Sequence, residues 1–218
     1  MSSGRRSRGI VVPLVVLCLL PAVGACARPV EEAASPGRGV PPPASADDLG
    51  ALIVPEVPSG LPRLSDGDLD PPAGAKRVED VAGYAEDPAR ERAVLEDYGY
   101  RHGWERFWGS DSGPLTGVFV DQFDVRAGAA AYVEDLARNE AEHYGGMLSE
   151  EPAGLPGDCW LLTVPDPDPE QLHGPAALAW CVHGMFSVSA TAVADSVDAA
   201  EEEVRAVLAA QLDRLPPR

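Results

Sequence analysis

The alternation of apolar and polar positions divides the chain into an apolar head, a proline-rich polar stretch and a long body whose period changes several times. The first firm helical signal in the body is DPARERAVLEDYG (87–99). Asp87 can cap it, Pro88 suits the first helical position, Val94, Leu95 and Tyr98 share a face, and Gly99 ends it. A shorter helix is expected just before it, at 78–85. YRHGWERFWGS (100–110) is strand-like. TGVFVDQFDV (116–125) alternates, with Val118, Val120 and Gln122 on one face and Phe119, Asp121 and Phe123 on the other. DSGP between them suits a turn, so the two stretches read as a hairpin.

From 128 to 144 the period is helical, with a stripe of Tyr132, Val133, Leu136, Ala137, Ala141 and Tyr144 that ends at Gly145-Gly146. Three strands follow: CWLLTV (159–164), ALAWCVH (177–183) and MFSVSATAV (185–193), the last two joined through Gly184. A final helix is expected from about 196 to 215, capped by Asp195 or Ser196, with Val197, Ala200, Val204, Leu208, Leu212 and Leu215 inward. A strand followed by an alanine-rich helix occurs at 117–144 and again at 185–215, a faint internal echo. Short links between strands imply antiparallel pairing. The expected fold is α+β: a single domain, an antiparallel sheet of about five strands with helices packed on one face.

The head has a different character. MSSGRRSRG is cationic, and IVVPLVVLCLLPAVGA (10–25) is apolar but broken by Pro13 and Pro21. It is shorter than the roughly 20 residues a spanning helix needs. A basic start, an apolar centre and small residues at the end describe an export signal. Arg5-Arg6 is followed by Ser7-Arg8-Gly9, a poor match to twin-arginine export. Val23-Gly24-Ala25-Cys26 resembles the lipobox of bacterial lipoproteins. That resemblance implies that the Cys26 sulfur receives a diacylglyceryl group, and that cleavage before Cys26 makes it the mature N-terminus. Two or more acyl chains, such as palmitate, hold a protein stably on a membrane where one does not. The expected organisation is therefore a signal peptide at 1–25, a lipidated N-terminus and tether at 26–46, and the α+β domain at 47–218. The tether, with Pro29, Pro36 and Pro41-Pro42-Pro43, has too few large apolar residues to offset its ordering entropy. The domain's first part, 47–75, is expected to lie against it as an irregular arm. Leu49, Leu52, Ile53, Val54 and Val57 want burial there, while Pro55, Pro58 and Pro62 interrupt helix.

Charge narrows the function. The chain has 35 Asp+Glu against 17 Lys+Arg, and Arg5, Arg6 and Arg8 lie in the signal. So acidic a body repels phosphate backbones, which excludes nucleic acid as a partner, and it supports solubility. Abundant Ala, Gly, Pro and Arg with a single lysine, Lys76, resembles the usage of high-GC genomes such as those of actinobacteria.

With Cys18 in the signal and Cys26 lipidated, Cys159 and Cys181 remain in an oxidising compartment. Folding 159–181 about Glu170 places them opposite one another, so a disulfide across this hairpin is expected, contributing about 3 kcal/mol. Catalytic chemistry is not visible. His102, His143, His173 and His183 lack metal-ligand spacing, and there is no nucleophile elbow, Walker loop or dinucleotide fingerprint. SDGDLDPP begins like a calcium loop, but Pro71 and Arg77 occupy positions that need glycine and glutamate. Asp166, Asp168 and Glu170 read as an acidic loop tip. No metal and no cofactor is expected. The densest feature is aromatic: Tyr98, Tyr100, Trp104, Phe107 and Trp108 fall within eleven residues. Two readings of it stay open, a core beneath the sheet, or a ligand or partner surface formed by Tyr100, Trp104, Phe107 and Trp108.

DLGALIVPEVPSG, EDYGYRHGWERFWG and VFVDQFDVRAGAAAYV, within 47–146, resemble an uncharacterised actinobacterial secreted or lipoprotein family. The general plan is similar to lipid-anchored sensor and carrier domains of mycobacterial envelopes. The resemblance implies no catalytic residues. Two functions follow as expectations: a non-catalytic, membrane-tethered domain binding an envelope protein or small ligand, or an envelope enzyme or accessory subunit using carboxylates not yet singled out. The lipid anchor is directly testable. Cys26→Ala should leave the precursor uncut and unable to take up radiolabelled palmitate, whereas a normally processed, labelled variant would refute the lipobox reading.

Overall fold

The computed structural model describes residues 41–110 and 113–217. The lipobox and most of the expected tether lie outside the described residues, as do residues 111 and 112 of the expected turn. Seven strands form one antiparallel sheet: β1 (Gly74–Lys76), β2 (Tyr100–Gly109), β3 (Leu115–Phe123), β4 (Met147–Glu150), β5 (Cys159–Val164), β6 (Ala176–His183) and β7 (Phe186–Val193). Their order is β1-β2-β3-β7-β6-β5-β4. The five strands read from the sequence are present. The expectation of about five is corrected by β1 and β4, edge strands of three and four residues. Runs that short carry no readable alternation, and short edges limit pairing with other chains.

The helices are α1 (Ala46–Gly50), α2 (Val78–Ala82), α3 (Pro88–Asp97), α4 (Arg126–Tyr144) and α5 (Val197–Leu212). The side chains of Asp87 and Ser196 accept from the amides of Arg90 and Ala199 at 3.1 and 3.2 Å, capping α3 and α5. The helices do not pack on one face, which corrects the second part of the expected fold. All eight residues of β6 are buried. Ala176, Leu178, Trp180 and Val182 join a core with Ala82, Leu95, Tyr132, Val133 and Ala137 of α2, α3 and α4. Ala177, Ala179 and Cys181 join a second core with Leu49, Ile53, Val54, Val57 and the α5 residues Ala200, Val204, Leu208 and Leu212. A strand apolar on both sides needs cover on both sides. The sequence echo is therefore not an echo in packing: β3 and β7 are neighbours, but the helices that follow them take opposite faces.

In the β5–β6 register Cys159 lies opposite Cys181, and the two are disulfide-bonded. Among the described residues no helix is long and apolar enough to cross a membrane.

The arm docks through polar groups as well as apolar ones. After α1 it has no regular helix before a 3-10 turn at Asp66–Asp68, so its buried amides and carbonyls need side-chain partners. Gln211 of α5, fully buried, accepts from Val54 N at 2.9 Å and donates to Leu52 O at 3.1 Å. Arg106 of β2 donates to the carbonyls of Gly50, Ile53 and Val54 at 3.0–3.3 Å. Trp104 lies over Gly50 so closely that a Cβ there would be 2.7 Å from its ring. Further along, Leu64 N bonds Phe107 O and Gly109 N bonds Pro62 O, closing the edge of β2 where β1 ends. Gln211→Leu keeps the volume but strands the Val54 amide. It should cost about 2 kcal/mol in urea unfolding and expose 49–57 to limited proteolysis. Unchanged stability and cleavage would show that the clamp does not hold the arm.

Candidate functional site

On the α4 side, the pleat aligns side chains from four strands into rows. Glu105, Phe119, Ser189 and Trp180 make one row, and Phe107, Gly117, Thr191 and Leu178 the next. α4 covers the β6 side of this floor, while α2 and the segment bearing Tyr84 cover the β1 side. Between them a cavity of about 330 Å³ remains, walled also by Leu136, Tyr144 and Leu172. Small residues keep it open: a Cβ on Gly117 would press on the Phe107 ring at 2.9 Å. Phe107 and Phe119 meet edge to face, with ring centroids 5.3 Å apart. A second hollow of about 330 Å³ adjoins, sharing Tyr84, Glu105, Phe107, Leu115 and Phe119 and reaching Leu64, Leu69 and Pro71.

The cavity's polar groups are acidic or neutral. At its rim Lys76 and Glu105 form a buried ion pair at 2.9 Å, their side chains 4% and 8% exposed. The Lys76 ammonium also donates to Pro72 O at 2.6 Å and to the Tyr84 hydroxyl at 2.5 Å, which in turn donates to Glu105 at 3.0 Å. Burial opposes the charge on Lys76, but the bonds to Tyr84 and Glu105 outweigh it and hold Lys76 above its ordinary value. Burial also lifts Glu105 above the usual carboxylate range, against the pull of Lys76. The short contact and shared Tyr84 favour an ionised pair at neutral pH.

Asp121 lies deeper, on β3. Its Oδ1 accepts from the Tyr100 hydroxyl at 3.0 Å. Burial pushes its pKa up to about 7; the Tyr100 bond opposes the rise and the Glu105 charge adds to it. Burial and the Asp121 charge keep the Tyr100 phenol protonated, and they raise Tyr132 as well. Glu140 of α4 is raised by burial. Gly103 is Asp121's partner across the β2–β3 ladder, and a Cβ there would sit 2.1 Å from Asp121 Oδ1. The Tyr100–Asp121 pair therefore requires glycine at that position.

Three polar atoms of residues that line this cavity have no hydrogen bond to any described residue: the Tyr132 hydroxyl, the Ser189 hydroxyl and Asp121 Oδ2. Their residues are only 6–7% exposed. Each is placed to bond a ligand that enters the cavity.

Of the aromatic residues read from the sequence, the structure brings two to this face and sends two to the other. Phe107 lines the cavity and Tyr100 backs Asp121. Trp108, 1% exposed, and Trp104 face the arm. Residues 104 and 108 fall on one side of β2's alternation and 105 and 107 on the other, while a register shift separates Tyr100 from His102. Tyr98 bonds Asp135, joining the end of α3 to α4. The sequence reading missed Glu105, Asp121, Tyr132, Glu140 and Ser189. One signal was there for Asp121, an acid between Phe119 and Phe123 on the same face of a strand. Among the described residues no group of His, Cys, Asp and Glu has the arrangement to hold a metal. Asp166, Asp168 and Glu170 are exposed.

No family model matches the chain, and no curated protein matches it. Among solved structures, the extracellular domain of PknH from Mycobacterium tuberculosis is similar at a TM-score of 0.48 and 13% identity, covering 79% of this chain and 98% of that chain.

Between the unfolded pKa of an aspartate, about 4, and its folded value of about 7, the folded state binds more protons at Asp121 than the unfolded state does. Stability therefore falls as pH rises through that window and levels off above it, by up to ~4 kcal/mol from this group. Asp121→Asn keeps an acceptor for Tyr100 and removes the titration. Urea unfolding at pH 5 and pH 8 should show a clearly smaller loss in the variant. Equal losses would mean that Asp121 does not titrate in this range.

Proposed function

We propose that this protein is a non-catalytic small-ligand-binding domain, held on the extracytoplasmic face of the cell membrane by acyl chains on Cys26. The reading joins two observations of different kinds. The lipobox, the tether composition and the Cys159–Cys181 disulfide favour an exported, anchored chain. The cavity favours a ligand, and the observation that carries this is the set of unbonded hydroxyls of Tyr132 and Ser189 inside it. Bonds to these hydroxyls orient a ligand, and the apolar walls supply the affinity. The resemblance of 47–146 to an actinobacterial secreted family fits the same reading.

One observation favours the enzymatic alternative. An aspartate held near pH 7 beside a second carboxylate suits proton transfer, and Asp121 with Glu105 would be its acid–base candidates. Against it, among the described residues no histidine, cysteine or lysine lines the cavity.

Native mass spectrometry of the protein extracted from its own membranes tests the binding reading. Wild type should carry a small non-protein species that is released unchanged on denaturation, and Ser189→Phe, which fills the floor, should lose it. A wild type without adduct, or an adduct undisturbed by Ser189→Phe, would overturn the reading. A converted species would move the case to the enzyme.

A further inference from the structure

The cavity also states what kind of ligand it takes. Resting on the binding reading above, we infer that the site is selective for an organic cation: a protonated amine whose ammonium meets Asp121 and whose apolar body lies along Phe107, Phe119 and Trp180. Among the described residues no lysine or arginine lines the cavity, and the nearby cation, Lys76, already gives its ammonium to Pro72, Tyr84 and Glu105. A carboxylate or phosphate would find no cation here and would face Asp121, Glu105 and Glu140.

An ammonium carries three N–H donors and accepts nothing. Asp121 Oδ2 and the hydroxyls of Ser189 and Tyr132 are three oxygens able to accept, all without a bond to any described residue, on residues more than nine-tenths buried. The three acceptors belong to residues lining one cavity, as many as an ammonium has donors. Phe107 and Phe119 stand half-buried on interior strands, and the hollow beyond them adds Leu64, Leu69, Pro71 and Leu115 beside the carboxylates of Asp70 and Glu105. A purely inorganic cation would leave that surface wet, whereas an amine with a hydrophobic tail covers it.

The groups facing Asp121 set the pH response. They are Glu105 and Tyr100 on β2, Lys76 on β1, Tyr132 and Glu140 on α4, and Tyr84 after α2. A bound ammonium favours ionised Asp121, so binding releases a proton wherever free Asp121 holds one, and affinity rises with pH up to the aspartate's own titration.

Three probes with one body and different heads test this: 4-phenylbutylamine, 4-phenylbutanol and 4-phenylbutyrate, titrated into the full-length protein by calorimetry. At pH 8 the amine should bind at least tenfold more tightly than the alcohol, and the carboxylate should not bind. Amine affinity should fall at least threefold from pH 8 to pH 6. In Asp121→Asn the amine-to-alcohol ratio should collapse toward one and the pH dependence disappear, with thermal unfolding checking that the variant is folded. Equal or tighter binding of the alcohol or carboxylate would overturn cation selectivity while leaving a ligand cavity in place. Absence of binding by all three would also overturn the amine, and the adduct measurement would then decide the cavity itself. An amine preference that survives in Asp121→Asn would place the ammonium elsewhere and refute the assignment.

Discussion

The organisation of this protein follows from the fact that β6 has no polar side to give to water. Its eight residues are all buried, alternate ones entering two different cores. A sheet with such a strand at its heart must be a middle layer. α4, with α2 and α3, supplies one outer layer, and α5 supplies the other. A sixteen-residue helix does not cover a seven-stranded sheet, so the irregular arm completes that second layer. Because the arm lacks regular hydrogen bonding, it needs Arg106 and Gln211 to satisfy its backbone. The polar clamp is thus a consequence of two-sided burial as much as a fastening.

The opposite layer is left incomplete, and that gap is the candidate site. α4 leans toward β6, α2 and α3 cluster toward β1 and β2, and the floor between them sets Glu105, Gly117, Asp121 and Ser189 among the large apolar Phe107, Phe119 and Trp180. Holding Asp121 and Glu105 there opposes stability, since burial raises both carboxylates. Their supports are specific: Lys76 and Tyr84 for Glu105, Tyr100 for Asp121, and the absence of a side chain at Gly103. Local violations of packing rules gathered at one place are characteristic of functional regions.

Much of the architecture was legible in the sequence because long periodic segments announce themselves. CWLLTV is β5 residue for residue, Asp87 and Ser196 cap as expected, and the reflection of 159–181 about Glu170 located the disulfide. The edge strands were hidden by their length. The second helical layer was hidden by a different cause, since ALAWCVH is apolar on both faces and a short apolar run does not say which elements cover it. The site was legible only in outline. Aromatic density marked β2, but density along a chain does not say which side of a strand a residue takes, so Trp104 and Trp108 were grouped with Phe107 although the sheet lies between them. Asp121 was hidden by a composition crowded with carboxylates, where only its position in the alternation set it apart.

That alternation gives β2 a double role. Arg106 grips the arm on one side, and its neighbours Glu105 and Phe107 shape the cavity on the other. Any pull entering the domain through its N-terminal segment is borne first by the arm, then by Arg106 and Gln211, and so by the backbone of β2 and by α5. One peptide unit therefore separates the side chain that seats the arm from those that floor the cavity, so the arm and the cavity share one strand.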